Sequence, residues 1–271
     1  MKGEPPGKVL AVRDETVCIA TLDGAVWITH LREKGRDSIK LPALRVLHDV
    51  YAKEIPLKPW ESYEGRTYRE IIYWEEKGIG NIEFNFYNGA MSTEQCQRLL
   101  ETIRYAKKRP VDVIILWGSE DFWSNGMNLN TIENAESPAD ESWRNINAMD
   151  DLCEEMIRSV DKFFVCSMQG NAGAGGVFLA LAGDLVIARS SVVLNPHYKN
   201  IGNLYGSEFW TYLLPKRVGW DVSRQIMENR LPISARKAQE IGLIDVVFDG
   251  DPKTFRSKVM DSVKKLIYEG K

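Results

Sequence analysis

The sequence is poor in the residues that build metal centres and disulfide frameworks. Its four cysteines, Cys18, Cys96, Cys153 and Cys166, stand far apart with no C-x-x-C pair, so neither a zinc site nor a secreted disulfide scaffold is expected, and they read as reduced core thiols. Of its three histidines, His30 and His48 carry no recognisable chemistry, and no metal-ligand cluster surrounds His197. Charge of one sign is also missing: 35 Lys and Arg against 38 Asp and Glu leave a net charge of −3. No global basic field exists to hold a phosphodiester backbone, so nucleic acid is not the expected partner. The apolar runs are short; the stretch 111–117 is interrupted by Asp112 and falls far below the length that crosses a bilayer. No signal peptide is read behind Met1. The expectation is a soluble, cytoplasmic protein with no membrane and no metal.

What is present is ordinary globular material, 44% hydrophobic and 27% charged over 271 residues. That length suits one large fold with a small appendage. The first fifty residues are short strand-like pieces at Val9-Leu10-Ala11-Val12, 17–21 and 25–29. Between the last two stands Asp23-Gly24, a hairpin signal because both turn positions need positive φ. A small β-barrel-like domain is expected over 1–55. Residues 56–69 form a linker in which Pro56 and Pro59 disfavour regular structure. From 70 to 271 strands alternate with helices. Ile71-Ile72-Tyr73-Trp74 and Ile82, Phe84, Phe86 read as two strands joined through Lys77-Gly78. Ser92-Thr93-Glu94-Gln95 has capping-box form before Cys96, Leu99, Leu100 and Ile103 at helical spacing. Buried strands are expected at 113–117 and 163–167. A helix carrying Ile146, Met149, Leu152, Met156, Ile157 and Val160 lies between them, after a polar loop over 133–142. A further helix begins within 173–176, others open at Ser207, at Ser234 and at Asp251-Pro252, and short strands fall at 185–188 and 192–194. The cadence predicts an α/β domain with largely parallel strands.

Two glycine-bearing turns follow successive strands: Phe122-Trp123-Ser124-Asn125-Gly126-Met127-Asn128, and Gln169-Gly170-Asn171-Ala172-Gly173-Ala174-Gly175-Gly176-Val177. In an open parallel sheet ligands bind beyond the carboxyl ends of strands, where glycines let main-chain N–H groups approach a ligand oxygen. Tight turns and close packing alone would explain either segment. A dinucleotide fingerprint is the weaker reading, because Gly170, Gly173 and Gly175 do not make G-x-G-x-x-G.

These turns, with Phe178-Leu179-Ala180 and Asp184-Leu185-Val186-Ile187-Ala188, resemble the crotonase (enoyl-CoA hydratase/isomerase) superfamily over about residues 68–269. The resemblance implies a repeated ββα superhelix and an oxyanion hole for a CoA thioester, formed by the N–H groups of Met127 and Gly175. It also implies Gly126, Ala174 and Ile201 as substrate-binding positions. Where a hydratase of that superfamily carries two catalytic glutamates, this sequence has Phe178 and His197. Phenylalanine cannot move a proton, so hydration by paired carboxylates is not expected.

The stretch 195–210, together with the β unit before it, is similar to the C-terminal half of the HypX/HoxX family of nickel-iron hydrogenase maturation proteins. That resemblance spans nearly the whole chain, with residues 7–50 similar to the small barrel that follows the catalytic domain of methionyl-tRNA formyltransferases. It implies a formyl-tetrahydrofolate-binding domain in front, absent here, so a truncated or naturally short version is expected. It further implies that the crotonase half splits formyl-CoA to carbon monoxide and coenzyme A for the hydrogenase iron centre, within the hydrogenase maturation machinery. Formyl-CoA has no α-carbon, so one base and one proton donor suffice. Glu208 on the first turn of a helix and Tyr198 on the loop before it are the candidates, Glu208 as base and Tyr198 as donor, with exchanged roles left open. His197 is a third catalytic candidate because it titrates near neutrality, although a lone histidine is more often a structural hydrogen bonder. Lys264-Lys265 either meet CoA phosphates or form a solvated helix face. An acyl-CoA hydratase or isomerase, and a non-catalytic CoA-binding protein that docks a maturation partner, are the competing functions.

Overall fold

A computed structural model describes residues 3–35, 37–47, 50–198 and 204–269. The chain separates into two units, Met1–Glu70 with Leu129–Glu136, and Ile71–Asn128 with Ser137–Lys271.

In the first unit β1 (Val9–Arg13), β2 (Thr16–Ala20) and β3 (Ala25–Ile28) form an antiparallel meander. The turn 21–24 closes it, Thr21 N–H donating to Gly24 O at 2.9 Å, but neither Asp23 nor Gly24 takes the positive φ expected there. A two-residue ribbon, β4 (His30–Leu31) with β5 (Leu41–Pro42), leads into the short helix α1 (Ala43–Val46). Strand β6 (Lys53–Glu54) then runs parallel to β1, giving the order β3-β2-β1-β6. The expected barrel is thus an open sheet among the described residues. Its last strand is only two exposed residues long and pairs on one side, too little to return to β3. Residues 55–69 hold no strand or helix, as their prolines predict. Arg69 orders them instead, its Nη2 donating to the carbonyls of Lys58, Pro59 and Glu61.

The second unit begins with β7 (Ile71–Glu76) and β8 (Ile79–Phe84), joined by Lys77 and Gly78, both at positive φ (52° and 77°) as the tightest hairpin turn requires. After β9 (Ala90–Met91), helix α2 (Thr93–Lys107) opens on the expected capping box, Ser92 Oγ accepting from Gln95 N–H and Gln95 Oε1 from Ser92 N–H. Then come β10 (Val113–Trp117), β11 (Phe122–Ser124), β12 (Gly126–Met127), α3 (Leu129–Glu133, within the first unit) and α4 (Pro138–Ile157). Here two expectations change. The polar stretch 133–142 is mostly helical, because Pro138 takes the first helical position and carries Asp140 and Glu141 in the first turn, where the helix dipole favours acids. Val160 lies beyond the end of α4 and is almost fully exposed, so it is no part of that helix's core face.

The ββα rhythm repeats through β13 (Phe163–Met168), β14 (Asn171–Gly173) and α5 (Gly175–Leu181), then β15 (Leu185–Arg189), β16 (Val193–Asn195) and α6 (Trp210–Asn229). Each repeat gives one strand to a six-stranded sheet and the next to a four-stranded one. The chain closes with β17 (Ile233–Ser234), α7 (Ala235–Glu240), β18 (Val246–Phe248) and α8 (Pro252–Tyr268). The large sheet runs β18-β15-β13-β10-β8-β7, parallel except for the β7–β8 hairpin, and the small one β11-β14-β16-β17. Parallel strands covered on both faces read as unbroken apolar runs, and β10 is buried at all five positions. Phe255, Val259 and Val263, one i, i+4, i+8 stripe of α8, pack on Ile79, Val113, Ile115, Val165 and Ile187. Burying each such side chain stabilises by about 1.5–3 kcal/mol. Among the described residues no helix is long and apolar enough to cross a membrane.

Candidate active site

The two glycine-bearing turns meet main chain to main chain. Gly126 follows β11 at φ 79°, and a Cβ there would stand 3.2 Å from the Gly175 nitrogen. A Cβ on Gly176 would overlap the Ser124 carbonyl, so no side chain fits at that contact. Trp123 Nε1 donates to Gly176 O at 2.9 Å, and Ser124 Oγ accepts from Gly126 N–H at 3.0 Å. Ala174 takes an unusual conformation (φ 44°, ψ −126°) and its N–H donates to Asn195 O, which delivers the chain into α5 at Gly175. The first N–H groups of a helix have no intrahelical acceptor. Met127, adjacent to Gly126, lies in β12 beside Met91 of β9.

Glu208 comes to this junction from the far side. A Cβ built on Gly175 would overlap the Glu208 carboxylate, so that carboxylate lies directly against the Gly175 Cα. The residue is 2% exposed. It does not stand on the first turn of a helix as expected. Glu208 and Phe209 both take left-handed conformations (φ 50° and 54°), and α6 begins only at Trp210. The Glu208 N–H donates to Asp150 Oδ1 on α4 at 2.7 Å. Tyr198, also buried, donates its phenol to Glu208 Oε2 at 2.5 Å. The Tyr198 ring stacks on Phe178 of α5 (centroids 5.7 Å apart, 17° between planes), and Gly206 leaves the space its other side occupies, a Cβ there overlapping the ring.

Burial pushes the Glu208 carboxyl up to about 6, Asp150 adding to the rise and the Tyr198 hydrogen bond opposing it. Burial, then the Glu208 charge, pushes the Tyr198 phenol well above its ordinary range. At pH 7 the pair therefore holds a proton on the phenol beside a mostly ionised carboxylate. The arrangement offers a base and a hydrogen-bond donor on one short contact.

His197 is buried, with the Arg230 main chain as the hydrogen-bonding partner of its ring. Burial and the Arg230 charge lower its pKa, which favours the neutral ring. Ile201 lies outside the described residues. Half-buried Lys264 pairs with Glu76 at 3.5 Å and exposed Lys265 with Glu269 at 3.7 Å. Among the described residues no group of three or more His, Cys, Asp or Glu is arranged to hold a metal ion. Sequence reasoning missed Asp150: it sits in the acidic pair Asp150-Asp151 on a polar helix, and only the folded chain brings it to a residue 58 positions away.

The enoyl-CoA hydratase/isomerase family pattern matches residues 75–271. The hydrogenase maturation factor HoxX of Bradyrhizobium diazoefficiens is 48% identical over 246 residues, covering 91% of this chain and 42% of that one. A crystal structure of HypX from Aquifex aeolicus in complex with tetrahydrofolic acid is 70% identical with a TM-score of 0.96, over 98% of this chain and 48% of that one. An enoyl-CoA hydratase from Thermoplasma volcanium, 23% identical over 72% of this chain and 77% of that one with a TM-score of 0.63, shares the fold. The chain thus spans about half the length of the HoxX and HypX proteins it matches.

Proposed function

The chain belongs to the enoyl-CoA hydratase/isomerase family, and on that premise we propose that its site is a CoA-thioester lyase that decarbonylates formyl-CoA to carbon monoxide and coenzyme A, as half of a hydrogenase maturation factor. The observation that carries the proposal is the buried Tyr198–Glu208 pair set against Gly175, with Phe178 where a hydratase would place a carboxylate. A single base with a single donor cannot add water across a double bond by the paired-carboxylate route, but it matches a substrate that loses one proton and regains one.

The N–H groups of Met127 and Gly175 hold the thioester oxygen and turn the formyl C–H toward Glu208. Glu208 takes the formyl proton, the C–H pair stays on carbon, and the C–S bond breaks with its pair on sulfur. Carbon monoxide leaves. Tyr198 gives its proton to the thiolate and recovers one from Glu208, so HCO–S–CoA becomes CO and HS–CoA with atoms and charge balanced. Phe178 and the buried walls keep water from the thioester carbon, which would otherwise give formate. A HypX chain of about twice this length was crystallised with tetrahydrofolic acid, which suits a one-carbon donor handled by the other half.

Purified protein given formyl-CoA is expected to release CO, read with a CO-sensitive haem reporter, and Glu208→Gln or Tyr198→Phe to slow it at least about a hundredfold. No CO above the uncatalysed background would refute the reading. Turnover of crotonyl-CoA would favour a hydratase instead, and CoA binding with no reaction would favour a non-catalytic docking protein.

A further inference from the structure

Two consecutive non-glycine residues in left-handed conformation, Glu208 and Phe209, make a strained turn that persists only where its surroundings over-determine it. No side chain caps α6 at this end. The buried Glu208 N–H still needs an acceptor, and it finds a charged one, Asp150 Oδ1 at 2.7 Å. The half-buried Asp150 belongs to α4, an element remote in sequence from the loop it grips. We propose that Asp150 is the positioning residue for Glu208: its carboxylate pins the left-handed turn by the main-chain N–H and so fixes the Glu208 carboxylate against the Gly175 turn.

An acid that grips the backbone of a second acid does two things at once. It holds the residue and sets a negative charge beside it, which adds to the rise in Glu208 proton affinity that burial causes. The Glu208 carboxylate is faced by the Tyr198 phenol, by Asp150, and by the thiols of Cys96 on α2 and Cys153 on α4. Asp150 in turn is faced by Asp151 and Glu154. Burial keeps both thiols protonated, so neither thiol adds a charge beside Glu208, whereas Asp150 does. The catalytic weight given to Asp150 rests on Glu208 being the base; its grip on the turn does not.

The test uses Asp150→Asn, which keeps an Oδ1 acceptor without the charge, and Asp150→Ala, which removes both. The Glu208 titration is read directly as the infrared carboxyl band of each protein minus that of its Glu208→Gln partner, and CO release from formyl-CoA gives kcat and KM. In Asp150→Asn the Glu208 midpoint is expected to fall by about half a unit or more, with a smaller loss of kcat than in Asp150→Ala. The alanine variant is expected to lose about tenfold or more in kcat with KM within about twofold, because an unpinned turn misplaces the base. A Glu208 midpoint that stays put in Asp150→Asn, or an undiminished kcat in Asp150→Ala, overturns the proposal. If Glu208→Gln keeps full activity while the midpoint still shifts, the base assignment fails and the coupling between the two acids stands.

Discussion

Glu208 sits where its charge is costly, and the cost has a sign. Its carboxyl is raised from the ordinary 4.5 to about 6 in the folded protein, so between those values the folded state binds more protons than the unfolded one. Stability is then highest below pH 4.5 as far as this group is concerned, and falls as pH rises through about 6 by an amount on the order of 2 kcal/mol. Glu208→Gln removes the penalty while leaving an oxygen for the Tyr198 phenol. It is expected to raise the melting temperature by several degrees at pH 7 to 8 and to raise it little at pH 4, as thermal denaturation across pH would read. A melting temperature unchanged or lowered at neutral pH would mean that the buried carboxylate is better solvated than its setting indicates. Tyr198→Phe acts in the opposite sense on the proton. It deletes the hydrogen bond that lowers the Glu208 pKa, so the Glu208 carboxyl band of that variant is expected to titrate above 6.

At the scale of elements, legibility followed local chemistry. Ser92 with Gln95 and Lys77-Gly78 carry their geometry in their own residues, and both turned out as expected, whereas Asp23-Gly24 marks a hairpin that forms without the positive φ read for it. Ser207-Glu208-Phe209 did not, because Ser followed by Glu reads as a cap and first turn, whereas the conformation there is set by Asp150 and Gly175, distant in sequence. That Tyr198, Glu208 and the glycine turn belong together was legible in residue type and in resemblance; the main-chain grip on Glu208 was not. Gly206 and Gly219 offer a matched comparison, both at positive φ (87° and 76°). A Cβ at Gly219 meets open space, while one at Gly206 meets the Tyr198 ring. Gly219→Ala is expected to cost about 1 kcal/mol of backbone strain, and Gly206→Ala about 2 kcal/mol more, with its Tyr198 ring displaced. Urea denaturation of the two variants separates these effects, and equal destabilisation would show that the ring yields without cost.

Across the whole molecule, the expected barrel and the observed open sheet mark how far periodicity reaches: strands were visible as strands, but closure depends on the length of a last strand that two residues, Lys53 and Glu54, supply. The thiols were read correctly as core residues, since Cys18, Cys96, Cys153 and Cys166 are all free and buried. Cys18 belongs to the first unit and the other three to the second. The native protein is therefore expected to resist an aromatic disulfide reagent, and labelling in rising urea to report the two units separately, Cys18 by peptide mapping for one and Cys96, Cys153 and Cys166 for the other. Rapid labelling of a thiol without denaturant would contradict the packing described.

The contact between Gly175 and the Glu208 carboxylate ties together two positions 33 residues apart. Neither is free to drift alone: a side chain gained at 175 must be matched by one shortened at 208, and a residue shortened at 208 leaves a hole that only growth at 175 could fill. A designer who wants a bulkier group at either position will have to redesign the other with it.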